Sequence, residues 1–287
     1  MIEIKVCASS ANLGPGFDTL GLGLSLYNIY KVEASDELII EGCPDEFKNE
    51  NNLFYIGYQT VCKALNVQDK CHVIFDCNIP ISRGLGSSAN LISAGAIAAN
   101  YLHGNILSRD EIFRICVEIE GHPDNVAPCI YGGLTSSFVE NHPRALSLEI
   151  SPDLHFTAII PDYTISTKQC RKALPKTVSL TDAVYNISHV IALCHALKNG
   201  DRELLRSACH DSLHQPYRKK LIKDYEFLQD VCFENQACAF MISGSGPTCL
   251  VISHFSNFSE AIQDEISSTY RILDLSIAQE GFTIKEL

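Results

Sequence analysis

The segment Pro80-Ile81-Ser82-Arg83-Gly84-Leu85-Gly86-Ser87-Ser88-Ala89-Asn90 runs without a break into an apolar helical pattern over 89–103, and this junction constrains the chain more than any other stretch. The first N–H groups of a helix have no partner inside it. Together with the helix dipole they make a ready site for negative charge. Gly84 and Gly86 let the main chain come close to a ligand. Ser87 and Ser88 add hydroxyls able to cap the helix, touch phosphate or reach a metal. Residues 80–90 are therefore expected to form a phosphate-binding turn and not merely a capped helix start.

Two familiar phosphate motifs are excluded. No Gly-x4-Gly-Lys-Ser/Thr occurs, so the lysine of a Walker A loop is missing. Gly84-Leu-Gly-Ser-Ser-Ala89 fits the dinucleotide pattern Gly-x-Gly-x-x-Ala, but that pattern needs a strand after its helix. A second helical pattern, 109–120, stands there instead. The nicotinamide reading falls on that topology.

The net charge of −12 argues against a broad nucleic-acid surface. A nucleotide ligand remains compatible, since local donors outweigh a distant, screened acidic background. The first residues show neither a basic start nor an apolar core, and no apolar run has the length of a membrane span, so neither a signal peptide nor a membrane partner is expected. Thirteen cysteines include no Cys-x2-Cys unit and mostly sit in apolar company. They read as small buried hydrophobes in a reducing cytosol, and a cytoplasmic location follows as the expectation. His210 and His214 share an i, i+4 spacing but lack a third ligand nearby, so they read as face residues.

Strand patterns at 2–8, 30–34, 38–43, 72–77, 132–139, 156–160, 238–242 and 249–253 mix with helical ones at 51–65, 89–103, 109–120, 166–198 and 220–232. The alternation is not strict, which favours an α+β fold. A change of texture near 150–160 suggests two domains, 1–155 with the phosphate turn and 156–287. The stretch Glu118-Ile-Glu-Gly-His-Pro-Asp-Asn-Val126 reads as a polar loop. A triphosphate needs Mg²⁺, which prefers hard oxygen ligands; Glu120 with Ser88 is the expected pair, and Glu118 is the alternative. The turn after the first strand carries Asn12 and Asp18, and Asp18 suits an ammonium group. Arg171 and Arg218 suit a carboxylate, which arginine holds bidentately.

Taken together, Ser9-Ser-Ala-Asn-Leu-Gly-Pro-Gly-Phe-Asp-Thr-Leu-Gly21, the turn at 80–90, His122-Pro-Asp-Asn-Val-Ala-Pro128 and Ser243-Gly-Ser-Gly-Pro-Thr248 resemble the motifs of the GHMP kinase superfamily and, within it, of the homoserine kinases. The resemblance covers the whole chain. It implies a ribosomal-protein-like N-terminal domain, a ferredoxin-like C-terminal domain, and transfer of the γ-phosphate of ATP, with Mg²⁺, to the hydroxyl of L-homoserine on the way to threonine. It also implies roles for residues. Residues 80–90 would bind ATP and Asp18 the substrate ammonium. Asn12, His122 and Asn125 would line the substrate pocket, and Arg171 with Arg218 would clamp the carboxylate. Asn125 stands where some relatives carry a catalytic Asp, so that no side chain fully deprotonates the hydroxyl; Asp124 is the rival base. Two other readings compete: a sister kinase acting on mevalonate, diphosphocytidyl-methylerythritol or a sugar, and a non-catalytic nucleotide-binding regulator. Asp18 with two arginines fits a zwitterion better than the first, and the presence of Glu120, Ser87 and Ser88 opposes the second. Monomer and homodimer are both left open.

Overall fold

The computed structural model describes all residues 1–287. In chain order the strands are β1 Ile2–Ala11, β2 Leu20–Ser35, β3 Ile39–Glu41, β4 Lys70–Cys77, β5 Leu134–Val139, β6 Pro143–Leu148, β7 His155–Pro161, β8 Ala239–Ile242, β9 Cys249–Ser253, β10 Tyr270–Leu275 and β11 Phe282–Glu286. The helices are α1 Leu53–Ala64, α2 Ser87–Leu102, α3 Arg109–Glu120, α4 Pro123–Tyr131, α5 Thr167–Lys172, α6 Leu180–Asn199, α7 Arg202–Ala208, α8 Gln215–Arg218, α9 Tyr225–Glu234 and α10 Phe258–Ile262.

Two sheets organise the chain. The first has seven strands along β11-β1-β2-β4-β3, with β5 paired to the start of β2 and β6 to β5; the second has four, β10-β7-β9-β8, all antiparallel. The closing strand β11 returns to pair with β1, so the last residues of the chain belong to the first sheet. Every strand of the second sheet's centre is buried on both faces. Phe156, Ala158, Ile160, Met241, Leu250 and Ile252 enter one core, while Ile159, Phe240, Ile242, Cys249 and Val251 enter another. The period-two alternation of side chains produces this sorting.

The first sheet feeds two cores as well. Ile2, Ile4, Val6, Tyr30 and Val32 pack under α1–α4, whereas Ala8, Leu20, Leu22 and Leu24 pack against the second sheet and α6–α7. The changeover coincides with a break in β1–β2 register at Cys7/Ala8, which re-aims the strands. That middle core joins the two halves.

Under the first sheet, α1 and α2 cross closely at two glycines. A Cβ on Gly57 would lie 2.3 Å from the Ile92 carbonyl oxygen, and one on Gly95 would lie 1.8 Å from that of Phe54. The alanine-rich α2 is buried over most of its circumference, as a helix apolar on all sides should be. Its start, the phosphate turn, is thereby fixed against the sheet.

The sequence reading erred in particular places. The stretch at 118–126 is not a loop throughout: α3 ends at Glu120, Gly121 turns the chain at φ 85°, and α4 starts at Pro123. Proline at the first helical position has no N–H to leave unpaired and already holds the helical φ, so Pro123 was the available signal. The pattern at 166–198 divides into α5 and α6, and the pattern at 220–232 starts as a helix only at Tyr225.

Candidate active site

A cavity of 560 Å³ opens where the first turn, the phosphate turn, the start of α4 and the C-terminal glycine turn converge. Its phosphate end is built by backbone strain placed on glycine. Gly86 is the N-cap of α2 in the left-handed region at φ 69°, and no side chain caps the helix, so its leading N–H groups face the cavity unpaired by any cap. Gly84 has φ 78°, and a Cβ there would lie 2.3 Å from the Ser243 carbonyl oxygen. The Ser243 hydroxyl donates to the Gly84 carbonyl at 2.6 Å, and the Thr248 N–H reaches the Arg83 carbonyl at 3.3 Å. The C-terminal turn thus braces the phosphate turn across the junction of the two halves.

Within residues 80–90, Ile81, Ser82, Arg83, Gly84, Gly86, Ser87 and Ser88 line the cavity. Pro80, Leu85, Ala89 and Asn90 do not. Leu85 and Ala89 are core residues. Asn90 is fully buried, donates to the Val6 and Cys7 carbonyls and accepts from Tyr30 and Asn28, which is a sheet-to-helix brace. Arg83 gives its N–H groups to the carbonyls of Pro161, Asp162 and Ile81, so it anchors the turn.

Ser88 donates to Glu120 Oε2 at 2.6 Å, and both line the cavity. Burial pushes the Glu120 carboxyl up, against the lowering effect of the Ser88 hydroxyl. A half-buried carboxylate beside a hydroxyl, with no cation of the protein paired to it, is a hard-oxygen donor set that suits Mg²⁺. Glu118 is exposed and lies outside the cavity lining, which removes it as the alternative.

The other end is charged. Asp18 sits in the left-handed region at φ 52°, and its N–H donates to Asn12 Oδ1 at 2.9 Å. Asn12 in turn donates to the Gly244 carbonyl at 2.7 Å. Arg171 grips Asp18 with both terminal nitrogens, at 3.0 and 3.3 Å, and both side chains are about a third exposed. Arg218 is buried, donates to the Gly244 carbonyl at 3.2 Å and lies over the Phe17 ring at 5.2 Å. The Nε atoms of both arginines are buried without a partner. Both arginines line the cavity, where an arriving carboxylate would be met by their guanidinium groups. His214, buried behind Arg218, bonds to the Gly14 carbonyl at 2.8 Å and stacks on Phe17, so it supports the wall.

His122, Asp124 and Asn125 complete the lining from the start of α4. Burial, then Arg171, holds the His122 imidazole pKa down, which keeps the ring neutral at pH 7. Asn125 Oδ1 accepts from Ser9 Oγ at 2.9 Å, which orients the amide. Asp124 is 3% exposed, and burial first and Asp18 second push its carboxyl up to about 7. Sequence reasoning missed the outer wall of the cavity: Cys43, Pro44, Phe47, Asn51–Leu53, Phe75 and Cys77. They come from three separate elements and share no motif. Asn52 caps α1 by accepting from Phe54 N at 2.9 Å, and an Asn just before an apolar helical run is the one local signal on this wall.

Comparison with known proteins gives matches to both halves of the chain and over its full length. Residues 52–133 match the GHMP kinases N terminal domain and residues 193–272 match the GHMP kinases C terminal family. The chain is 40% identical to a homoserine kinase of Clostridium beijerinckii, over all of this chain and 99% of that one. It is 37% identical to a homoserine kinase of Clostridium botulinum (strain Kyoto), over 99% and 98%. The crystal structure of homoserine kinase from Cytophaga hutchinsonii superposes with a TM-score of 0.91 at 26% identity, covering 99% of this chain and 97% of that one. A mevalonate kinase of L. major in complex with R-mevalonate, at 15% identity and TM-score 0.75, shares the two-domain fold.

Proposed function

Since the chain belongs to the homoserine kinases of the GHMP kinase family, we propose that its cavity holds ATP along the uncapped start of α2 and L-homoserine between Asp18 and the two arginines. The chain is an ATP-type phosphotransferase acting on L-homoserine, and the roles of its residues follow from the site. The observation that carries the assignment is the bidentate Asp18–Arg171 pair, with Arg218 beside it, on the lining of one cavity. A zwitterionic amino acid replaces that pair charge for charge. Its ammonium takes Asp18, and its carboxylate takes the guanidinium groups. Mevalonate and sugars carry no cation and would leave Asp18 unserved.

Ser87, Ser88 and the leading amides of α2 cradle the phosphates, and Ser88 with Glu120 would hold Mg²⁺. The ion supplies neutralisation of charge on the β- and γ-phosphate oxygens. Asn12 fixes Asp18, while neutral His122 and the Ser9-oriented Asn125 place the acceptor hydroxyl. Phosphoryl transfer through a loose transition state is mainly positioning and charge stabilisation, so no side chain needs to remove the hydroxyl proton completely. A second reading has its own observation: with its carboxyl pushed up to about 7, Asp124 is poised near the working pH of a general base. We place the division of the two domains near 155/156, with the closing strand β11 returning to the first domain's sheet.

ADP release with Mg·ATP tests the assignment against L-homoserine, L-serine, L-threonine, mevalonate and galactose. Turnover confined to L-homoserine is expected. Turnover on mevalonate or galactose would discard the zwitterion pocket.

A further inference from the structure

We propose that Cys62, Asp69 and His103 form a structural binding site for a zinc-type divalent cation, remote from the active site. The three come from different elements: Cys62 from the last turn of α1, Asp69 from the turn before β4, and His103 from the C-cap of α2. Their ligating atoms, one from each residue, lie within 4.8 Å of one another. Cys62 Sγ is 3.4 Å from Asp69 Oδ1, and His103 Nε2 is 3.1 Å from Asp69 Oδ2. Zinc bonds of ~2.0–2.3 Å in tetrahedral geometry separate neighbouring ligand atoms by ~3.3–3.7 Å, so little rearrangement is needed.

A second observation separates this cluster from an ordinary polar contact. His103 Nε2 is buried and makes no well-aligned hydrogen bond, although a carboxylate oxygen is 3.1 Å away. A cation seated between the two groups would take the lone pairs of both. The surroundings hold the ligands in place. Gln59 donates to the Asp69 carbonyl at 2.7 Å, the Tyr58 hydroxyl lies 3.4 Å from Asp69 Oδ1, and the Tyr58 ring meets His103 edge-on at 6.4 Å. Outer partners of this kind fix ligand orientation in metal sites. The side chains of Asp69 and His103 stay 20% and 15% exposed, so the cluster lies close to the surface.

Thiol, imidazole and carboxylate together select zinc over magnesium, whose preference is for oxygen alone. At 1.5 Å per residue, the site lies ~24 Å along α2 from the phosphate turn. The cation would pin the far ends of the two helices whose near ends line the nucleotide cavity.

Cobalt(II) serves as the spectroscopic probe, added to the full chain with Mg²⁺ present. One equivalent should produce an intense near-ultraviolet thiolate-to-cobalt band that Zn²⁺ abolishes by displacement. The band should vanish in Cys62→Ser and in His103→Gln, and persist in Cys77→Ser, whose exposed thiol controls for adventitious binding. His103→Gln alters a helix end and should keep both its circular dichroism and its kinase activity, so the test does not depend on Cys62→Ser folding. Zn²⁺ at a hundredfold excess over Kd should raise Tm by roughly 5 °C in the parent and not in His103→Gln. No thiolate band, a band that survives His103→Gln, or one lost with Cys77→Ser would overturn the proposal.

Discussion

At the residue scale, two carboxylates in one cavity are set to different tasks by their surroundings. Glu120 faces a hydroxyl and no cation, so its loss should weaken metal use. A hydrogen-bonded charged contact is worth about 1.5–3 kcal/mol, so Glu120→Gln should raise the Mg²⁺ concentration for half-maximal rate by about 10–100-fold. An unchanged Mg²⁺ dependence would remove Glu120 from the metal site. Asp124 is the more deeply buried of the two, lies near the Asp18 carboxylate, and has its carboxyl pushed up to about 7 on folding. An acid of that kind ionises first in the unfolded chain, so its contribution to stability is full below pH ~4 and is lost as pH rises to about 7. The Tm of Asp124→Asn minus that of the parent should therefore increase between pH 5 and pH 8, and a flat difference would contradict the shift. The same variant separates the two mechanisms. Turnover within about tenfold of the parent supports positioning alone, whereas a thousandfold fall with binding intact supports Asp124 as base.

At the scale of elements, the turn at 80–90 is held in place because α2 has nowhere else to go. Gly57 and Gly95 let α1 and α2 touch backbone to backbone, and Gly84 seats the turn on the Ser243 carbonyl. Gly95→Ala should destabilise the fold by about 2–4 kcal/mol, because backbone cannot yield as a flexible side chain can. Thermal or urea unfolding checks this, and a loss under 1 kcal/mol would mean the helices are free to separate. Elements with a local cause were legible in the sequence. The α2 start follows from Gly-Ser chemistry, and α3 follows from its periodicity and the Ser108/Glu111 capping box. The pairing of β3 with β4 in parallel, and the return of β11 to β1, depend on distant contacts and left no local mark. The cavity divides in the same way. Asn12, Asp18, His122 and Asn125 sit in motifs and were legible, but the Asp18–Arg171 pair joins residues 153 positions apart and appears only once the chain is folded.

At the scale of the whole molecule, the substrate end of the cavity exists only where the halves meet. Asp18 and Asn12 come from the first turn, Arg171 and Arg218 come from helices beyond residue 155, and the Gly244 carbonyl accepts from both Asn12 and Arg218. The middle core, fed by Leu20, Leu22 and Leu24 from one sheet and Phe156, Met241 and Leu250 from the other, holds that junction. Leu22→Ala should cost ~2–5 kcal/mol and shift one unfolding transition as a unit. Two resolved transitions in calorimetry would show that the halves melt independently.

The central claim is that Asp18 and Arg171 exchange each other for the two charges of the amino acid. It is tested most directly by kcat/KM of the parent and of Asp18→Asn on L-homoserine and on 4-hydroxybutyrate, which lacks the ammonium. Truncating one partner of a hydrogen-bonded charge pair costs about 2–5 kcal/mol, so Asp18→Asn should lower kcat/KM on L-homoserine by about 30–4000-fold. On 4-hydroxybutyrate the variant should match or exceed the parent. An equal fall on both substrates would contradict the account, since Asp18 would then be holding the site together and not the ammonium.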